Sequence, residues 1–261
     1  MRTTDMADEL FRSPETELPA GVRLATAKRG GVTVTRVEIT REGLARPRGR
    51  YVTLEMPSVS VLDERDTDVI ETGAAELRVL LPPEGPVLVL GIGNRRVTAD
   101  ALGPRTAQKI LVTMGPQHTL PVRGIRPVAA LAPGVSGDTG LTLRQLAAAM
   151  VDAVRPAALI CVDSLCSAEA ARLGRTIQFS DTGLHPADAR HARHLDAAAL
   201  GVPVIAAGIP TLMDADEGAD LVLTPRALDS VIAHGSALLA GILNRALQPR
   251  LSVAQLCWLT G

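Results

Sequence analysis

The sequence predicts an α/β fold, a doubly wound and mostly parallel sheet with an N-terminal β extension. Three observations carry that prediction. Apolar runs without polar alternation recur at Val87–Leu90, Ala157–Val162 and Val202–Gly208, the mark of strands buried on both faces. From residue 87 onward such runs alternate with helical patterns, as parallel sheets with crossover helices require. Ahead of them, Val22–Thr26 and Val32–Ile39 alternate in the manner of half-exposed antiparallel strands. With no internal repeat and no long linker, residues 1–261 read as one domain.

In chain order, residues 1–19 form a polar, acidic head broken by Pro14 and Pro19, and it is expected to be mobile. Gly30 and Gly31 suit a hairpin turn between the first two strands. Arg46–Arg50 is a basic turn, and Tyr51–Glu55 a third short strand. Val69, Ile70, Ala74, Leu77 and Leu80 fall on one face of a helix over 69–81. After the strand at Val87–Leu90, a helix is expected from Pro104 to about Met114, then a strand over Ile125–Leu131 and a glycine-rich loop to Gly140. Thr142 is placed to cap a helix over Leu143–Val154, which Pro156 stops. Further strands are read at Ala157–Val162, Thr176–Phe179 and Val202–Gly208, and Pro225 opens a last helix through about Leu247.

Composition excludes several classes of function. A formal net charge of −1 gives no footprint for nucleic acid or an anionic membrane. Four aromatic residues (Phe11, Tyr51, Phe179 and Trp258) supply no base-stacking platform. Lys28 and Lys109 are the only lysines, which weighs against lysine-based catalysis. Three cysteines without framework spacing suit a reduced, cytoplasmic protein. Neither a signal peptide nor an apolar run of transmembrane length is read.

Candidate chemistry gathers at strand ends, where ligands sit in parallel α/β sheets. Asp100 closes the loop after Val87–Leu90, and Asp163 directly follows Val162. If the two strands are neighbours, both acids face one crevice. There, one carboxylate can act as base toward a water while the other acts as acid. The plainer reading of each is a helix cap or a turn residue. Gly91, Gly93 and Asn94 form a small-residue turn whose N–H groups are candidate oxyanion or phosphate donors, although Gly-x-Gly alone is a weak dinucleotide signal. Asp181 and His185 are a second polar cluster. Joined to Asp100 and Asp163 it offers a carboxylate–imidazole metal site, and otherwise it is an Asx turn. His191 and His194 lie in a solvated Arg/His run, Cys161 and Cys166 read as apolar filling, and Ser136 falls short of a nucleophile elbow.

Several segments together resemble the spore germination protease family. They include Gly49–Glu55, Leu90–Asn94, Val97–Pro104, Arg126–Val128, Ala132–Val135, Val162–Leu165, Ile177–Pro186, Gly201–Ile205, Gly208–Thr211 and Leu223–Pro225, and so reach nearly the whole chain. The resemblance implies an aspartic-type endopeptidase that degrades small acid-soluble spore proteins at germination, in the cytoplasm of the forespore or spore core. It implies a fold similar to that of hydrogenase-maturation proteases and a homo-oligomer, and it places the two implicated aspartates on Asp100 and Asp163. It calls for no cofactor, with a divalent metal on Asp100, Asp163 and His185 as the alternative, and for no direct contact with nucleic acid or membrane. A non-catalytic sporulation protein with the same fold is the remaining reading. The family also removes its own N-terminal segment, cutting after an acid and before an apolar–Ala pair. Asp5 and Met6 stand at that point, with a pro-segment of residues 1–5 far shorter than is usual. Two further departures are the loop Ala187–Arg193, which replaces a glycine-rich basic one, and the loss of a long insertion after Thr211.

Overall fold

The computed structural model describes residues 3–12, 17–115, 124–185, 194–215 and 221–260. The N-terminal extension is a meander of β1 (Val22–Arg29), β2 (Val32–Ile39) and β3 (Gly49–Glu55). Gly30 and Gly31 both take positive φ, 53° and 78°, as a two-residue hairpin turn demands. The outer strand β1 is mostly exposed and carries Arg23, Lys28 and Arg29, charges that discourage pairing at an open edge.

Next come α1 (Thr67–Leu80), β4 (Val87–Gly91), α2 (Leu102–Ala107), β5 (Val128–Leu131), α3 (Ser136–Thr139), α4 (Leu143–Val154), β6 (Ala158–Cys166) and β7 (Thr176–Ser180). The chain ends with α5 (Ala197–Leu200), β8 (Val204–Asp214), β9 (Val222–Leu223), α6 (Leu228–Leu247) and α7 (Val253–Thr260). The sheet runs β1-β2-β3-β7-β8-β6-β4-β5, with β9 paired to β8. It is parallel in its four-strand heart, β8-β6-β4-β5. The antiparallel extension joins that heart through β7, which pairs with both β3 and β8.

Helices cover both faces, so the sheet is doubly wound. Along β4, Val87 and Val89 enter the layer built with α1 and α6, whereas Leu88 and Leu90 enter the opposite layer with Leu143 and Ala147 of α4. β6 divides in the same way, Ile160 to one side and Leu159 with Cys161 to the other. An unbroken apolar run is therefore required: each strand has two dry faces. Helix α6 is long and apolar enough by composition to cross a membrane, but 72% of its apolar window is buried inside the protein, where it packs on α1 and α2 as a core helix. Thr142 caps α4 as expected, with Gln145 completing a capping box, and the helix ends in left-handed Arg155 just before Pro156.

Several boundaries differ from expectation. The helix expected from Pro104 to Met114 begins at Leu102 and stops at Ala107. Beyond it, Asn244 of α6 takes the Leu111 N–H, and the Thr113 and Met114 amides turn to Val128. The strand expected from Ile125 begins at Val128, because the Arg126 amide donates to the Gln248 side chain instead of to a neighbouring strand. β6 and β8 run past their apolar cores to Cys166 and Asp214, each extending the other. Pro210 lies within β8 beside a register shift, the kind of irregularity at which a strand tolerates proline.

The head is the largest correction. Where a solvated tail was expected, residues 3–12 are packed against the domain, with Met6, Ala7 and Asp8 fully buried. Arg172 grips Asp8 at 2.8 Å, Thr53 donates to it at 3.0 Å and Arg12 stands 2.9 Å away. The Glu9 carboxylate accepts from the Ala168 N–H at 2.8 Å and from the Ser167 hydroxyl. An acidic composition suggested a solvated tail, but here each buried carboxylate has its own donors, which is the condition for burying charge.

Candidate active site

β4 and β6 are neighbours, with Gly91 opposite Val162, so both segments reach the carboxyl edge of the sheet together. Asp163 stays within β6, paired with Gly208 of β8, and is 4% exposed. Its Oδ1 accepts the Ser164 N–H at 2.8 Å. Asp100 arrives by a loop. The Asp100 N–H donates to the Val97 carbonyl at 2.9 Å, and its Oδ2 accepts the Asn94 N–H at 2.8 Å. Thr211 of β8 ties the loop down by donating to the Ala99 carbonyl at 3.0 Å. Both carboxylates line one cavity of about 640 Å³.

The glycines of this stretch have a packing purpose. A Cβ on Gly103 would collide with the backbone oxygens of Ile92 and Val162, and one on Gly91 with the Gly103 carbonyl. The N-terminus of α2 therefore lies directly against the ends of β4 and β6. Gly93 has φ of 123° and faces the backbone of Asp100, a conformation and a gap that a side chain would not allow. Gly93 and Asn94 thus lie against Asp100 and Gly91 against α2, and none of the three lines the cavity. The Asn94 amide donates to Asp100, so the expected oxyanion role does not fit that donor.

Asp181 is also placed differently from expectation. Its carboxylate accepts from the Arg50 N–H and Nε, both at 2.7 Å, and so clamps the start of β3 outside the cavity lining. His185 does line the cavity. Its Nε2 lies 2.8 Å from the Thr182 carbonyl and its Nδ1 3.2 Å from His194 Nδ1. Among the described residues no group of three or more His, Cys, Asp or Glu could hold a metal ion, so Asp100, Asp163 and His185 do not fit the metal reading. His191 and the loop at 187–193 lie outside the described residues.

Three cavity residues were missed by pattern reading. Arg46, only 8% exposed, comes from the stretch read only as a basic turn. Gln178 reaches the cavity from β7, and Ser164 carries a buried hydroxyl without a hydrogen-bond partner among the described residues. Nothing in the spacing marks Arg46 or Gln178, whose places depend on long-range contacts, whereas Ser164 simply follows Asp163 along β6. Tyr51 also lines the cavity, but burial pushes its phenol up to about 12, and it donates to the Pro47 carbonyl at 2.8 Å. It stays protonated at neutral pH.

No thiol here is activated toward the thiolate form. Burial raises Cys161 far above the ordinary thiol range, and burial with Asp5 and Asp214 nearby pushes Cys166 up to about 12. Burial also raises Cys257, which is less enclosed. Because the thiolate is the reacting form, native protein at pH 8 is expected to take up iodoacetamide at Cys257 at most, and at all three cysteines after unfolding. Intact mass reads the difference; rapid native labelling of Cys161 or Cys166 would contradict the assignment.

The germination protease family model matches residues 2–217. The chain is 32% identical over 278 residues to the germination protease of Clostridium perfringens (strain SM101 / Type A), covering 84% of this chain and 86% of that protein. It is 39% identical over 224 residues to that of Caldanaerobacter subterraneus subsp. tengcongensis, covering 80% and 67%, and 37% identical over 222 residues to that of Bacillus velezensis, covering 79% and 58%. A solved [NiFe] hydrogenase maturation protease, HycI from Thermococcus kodakarensis KOD1, aligns with a TM-score of 0.43 at 16% identity, covering 66% of this chain and 98% of that one.

Proposed function

The chain belongs to the germination protease family, an endopeptidase family of spore germination, and from that premise we propose how its cleft cuts a peptide bond. Asp100 and Asp163 share one cavity at the carboxyl edge of two adjacent parallel strands, and that observation carries the reading. A water between them gives a proton to one carboxylate and attacks the peptide carbonyl. The other carboxylic acid protonates the leaving nitrogen as the tetrahedral intermediate collapses. Each carboxylate is oriented by a backbone amide, from Asn94 and from Ser164, so its geometry does not depend on a mobile side chain. The reaction in this form needs no cofactor.

The proposed substrates are small acid-soluble spore proteins, met in the spore core during germination. Self-cleavage between Asp5 and Met6 belongs to the same proposal. Met6 is fully buried, so that bond becomes accessible only when the segment lifts from its seat. Incubating the purified chain with a small acid-soluble spore protein, with and without chelator, tests the reading. Substrate fragments are expected in both conditions, together with loss of residues 1–5 from the enzyme's own mass at mildly acidic pH. Activity abolished by chelator returns the metal alternative, an intact substrate the non-catalytic one. An unchanged enzyme mass removes self-processing alone.

A further inference from the structure

The cavity that holds the two carboxylates also takes in Thr3 and Asp5. The segment there is gripped through its backbone. The Asp5 N–H donates to the Cys166 carbonyl at 2.8 Å, and the Cys166 N–H donates back to the Asp5 carboxylate at 2.7 Å, three residues along β6 from Asp163. The Gln178 amide of β7 donates to the Asp5 carbonyl at 2.9 Å and accepts the Ala7 N–H at 2.7 Å, bracketing the buried Met6. The Arg46 guanidinium donates to the Thr4 carbonyl, stands 3.6 Å from the Asp5 carboxylate and donates to the His185 carbonyl at 2.8 Å. Main-chain bonds to a strand end, with a pocket for one side chain, are the means by which proteins hold extended peptides.

Charge decides what such a rail accepts. Among the described residues lining the cavity, Arg46 is the only Arg or Lys, set against Asp5, Asp100, Asp163 and Asp214. A substrate carboxylate entering elsewhere meets like charge, whereas at Arg46 it meets its counter-ion in a buried setting. We propose that Arg46 is a specificity-determining residue which takes an acidic substrate side chain at the position of Asp5. Residues Thr3–Ala7 occupy that substrate rail in cis. The inference rests on reading the cavity as the peptidase cleft.

Two peptides probe it on the full chain: one with the sequence of residues 3–10, and its counterpart with Asn in place of Asp5. A preference in kcat/KM for the acidic peptide on the order of 100-fold is expected, as for a site whose buried charge would otherwise go unpaired. Arg46→Gln should collapse that ratio toward one, with the loss falling on the acidic peptide, and Arg46→Lys should restore part of it. No preference in the unmodified chain overturns the proposal without any variant, so a misfolded Arg46→Gln would not shelter it. A preference that survives in folded Arg46→Gln also overturns it. If neither peptide is cut, the peptidase reading fails, and binding of the fluorescein-labelled peptides decides the subsite: tighter binding of the acidic peptide that Arg46→Gln abolishes supports it, and equal binding overturns it. Saturating acidic peptide should also speed deuterium exchange at the Asp5 and Ala7 amides; unchanged exchange with the peptide bound would show that the rail is not shared.

Discussion

Asp100→Asn and Asp163→Asn are each expected to lower kcat/KM on a protein substrate by on the order of 10³-fold, with the fold intact. Asparagine is nearly isosteric, and its side-chain oxygen can still accept the amide now held by each acid, from Asn94 at 2.8 Å and from Ser164 at 2.8 Å. Melting temperature should therefore move by only a few degrees while proton transfer is lost. If the pair acts on one water as proposed, the double variant should be scarcely slower than either single one; additive losses would mean that the two acids do separate work. Asp181→Asn is the matched control. It removes a carboxylate close in sequence to His185 but engaged with Arg50 outside the cavity lining, and it should keep most of the activity. Substantial activity in either Asp100→Asn or Asp163→Asn would end the carboxylate mechanism.

These two acids were legible because strand ends are legible. A run such as Val87–Leu90 announces a strand with two dry faces, and the first polar residues beyond such a run fall toward the carboxyl side of the sheet, Asp163 still within β6 and Asp100 on the loop after β4. Whether two such edges adjoin is a matter of topology. The pairing of Gly91 with Val162 supplied that fact, which no local pattern contains. Asp181 shows the converse: an acid after a strand that looks like site chemistry, yet is used up by Arg50 because β7 pairs antiparallel with β3. The head was misread for a related reason. Low hydrophobicity predicts a solvated tail only when its charges have no buried partners, and Arg172, Thr53 and Gln178 lie more than forty residues away in sequence. Arg46 was lost in the same way, as one arginine of a basic turn whose burial is decided by Thr4, Asp5 and His185.

The glycines of the opening loop test whether position or chemistry of the backbone sets the site. Gly103→Ala is expected to cost about 3–5 kcal/mol, the range of the most disruptive single substitutions, because its Cβ would meet the backbone oxygens of Ile92 and Val162 together. Neither can rotate away. α2 would have to withdraw from the sheet, and Asp100, three residues upstream, would move with it relative to Asp163. For a chain of this size such a cost corresponds to a fall in Tm of roughly 10 °C. Activity should fall further than the unfolded fraction explains, since a displacement of about 1 Å at a catalytic group can cost on the order of 100-fold. Gly137→Ala provides the contrast. It lies in α3, a Cβ there meets nothing within 4 Å, and replacing a helical glycine should be neutral or slightly stabilising. Thermal melts and kcat/KM on the same preparations separate the outcomes. A Gly103→Ala protein as stable and active as the parent would show that α2 can stand off from β4 and β6, and the close approach would then not be what holds Asp100 beside Asp163.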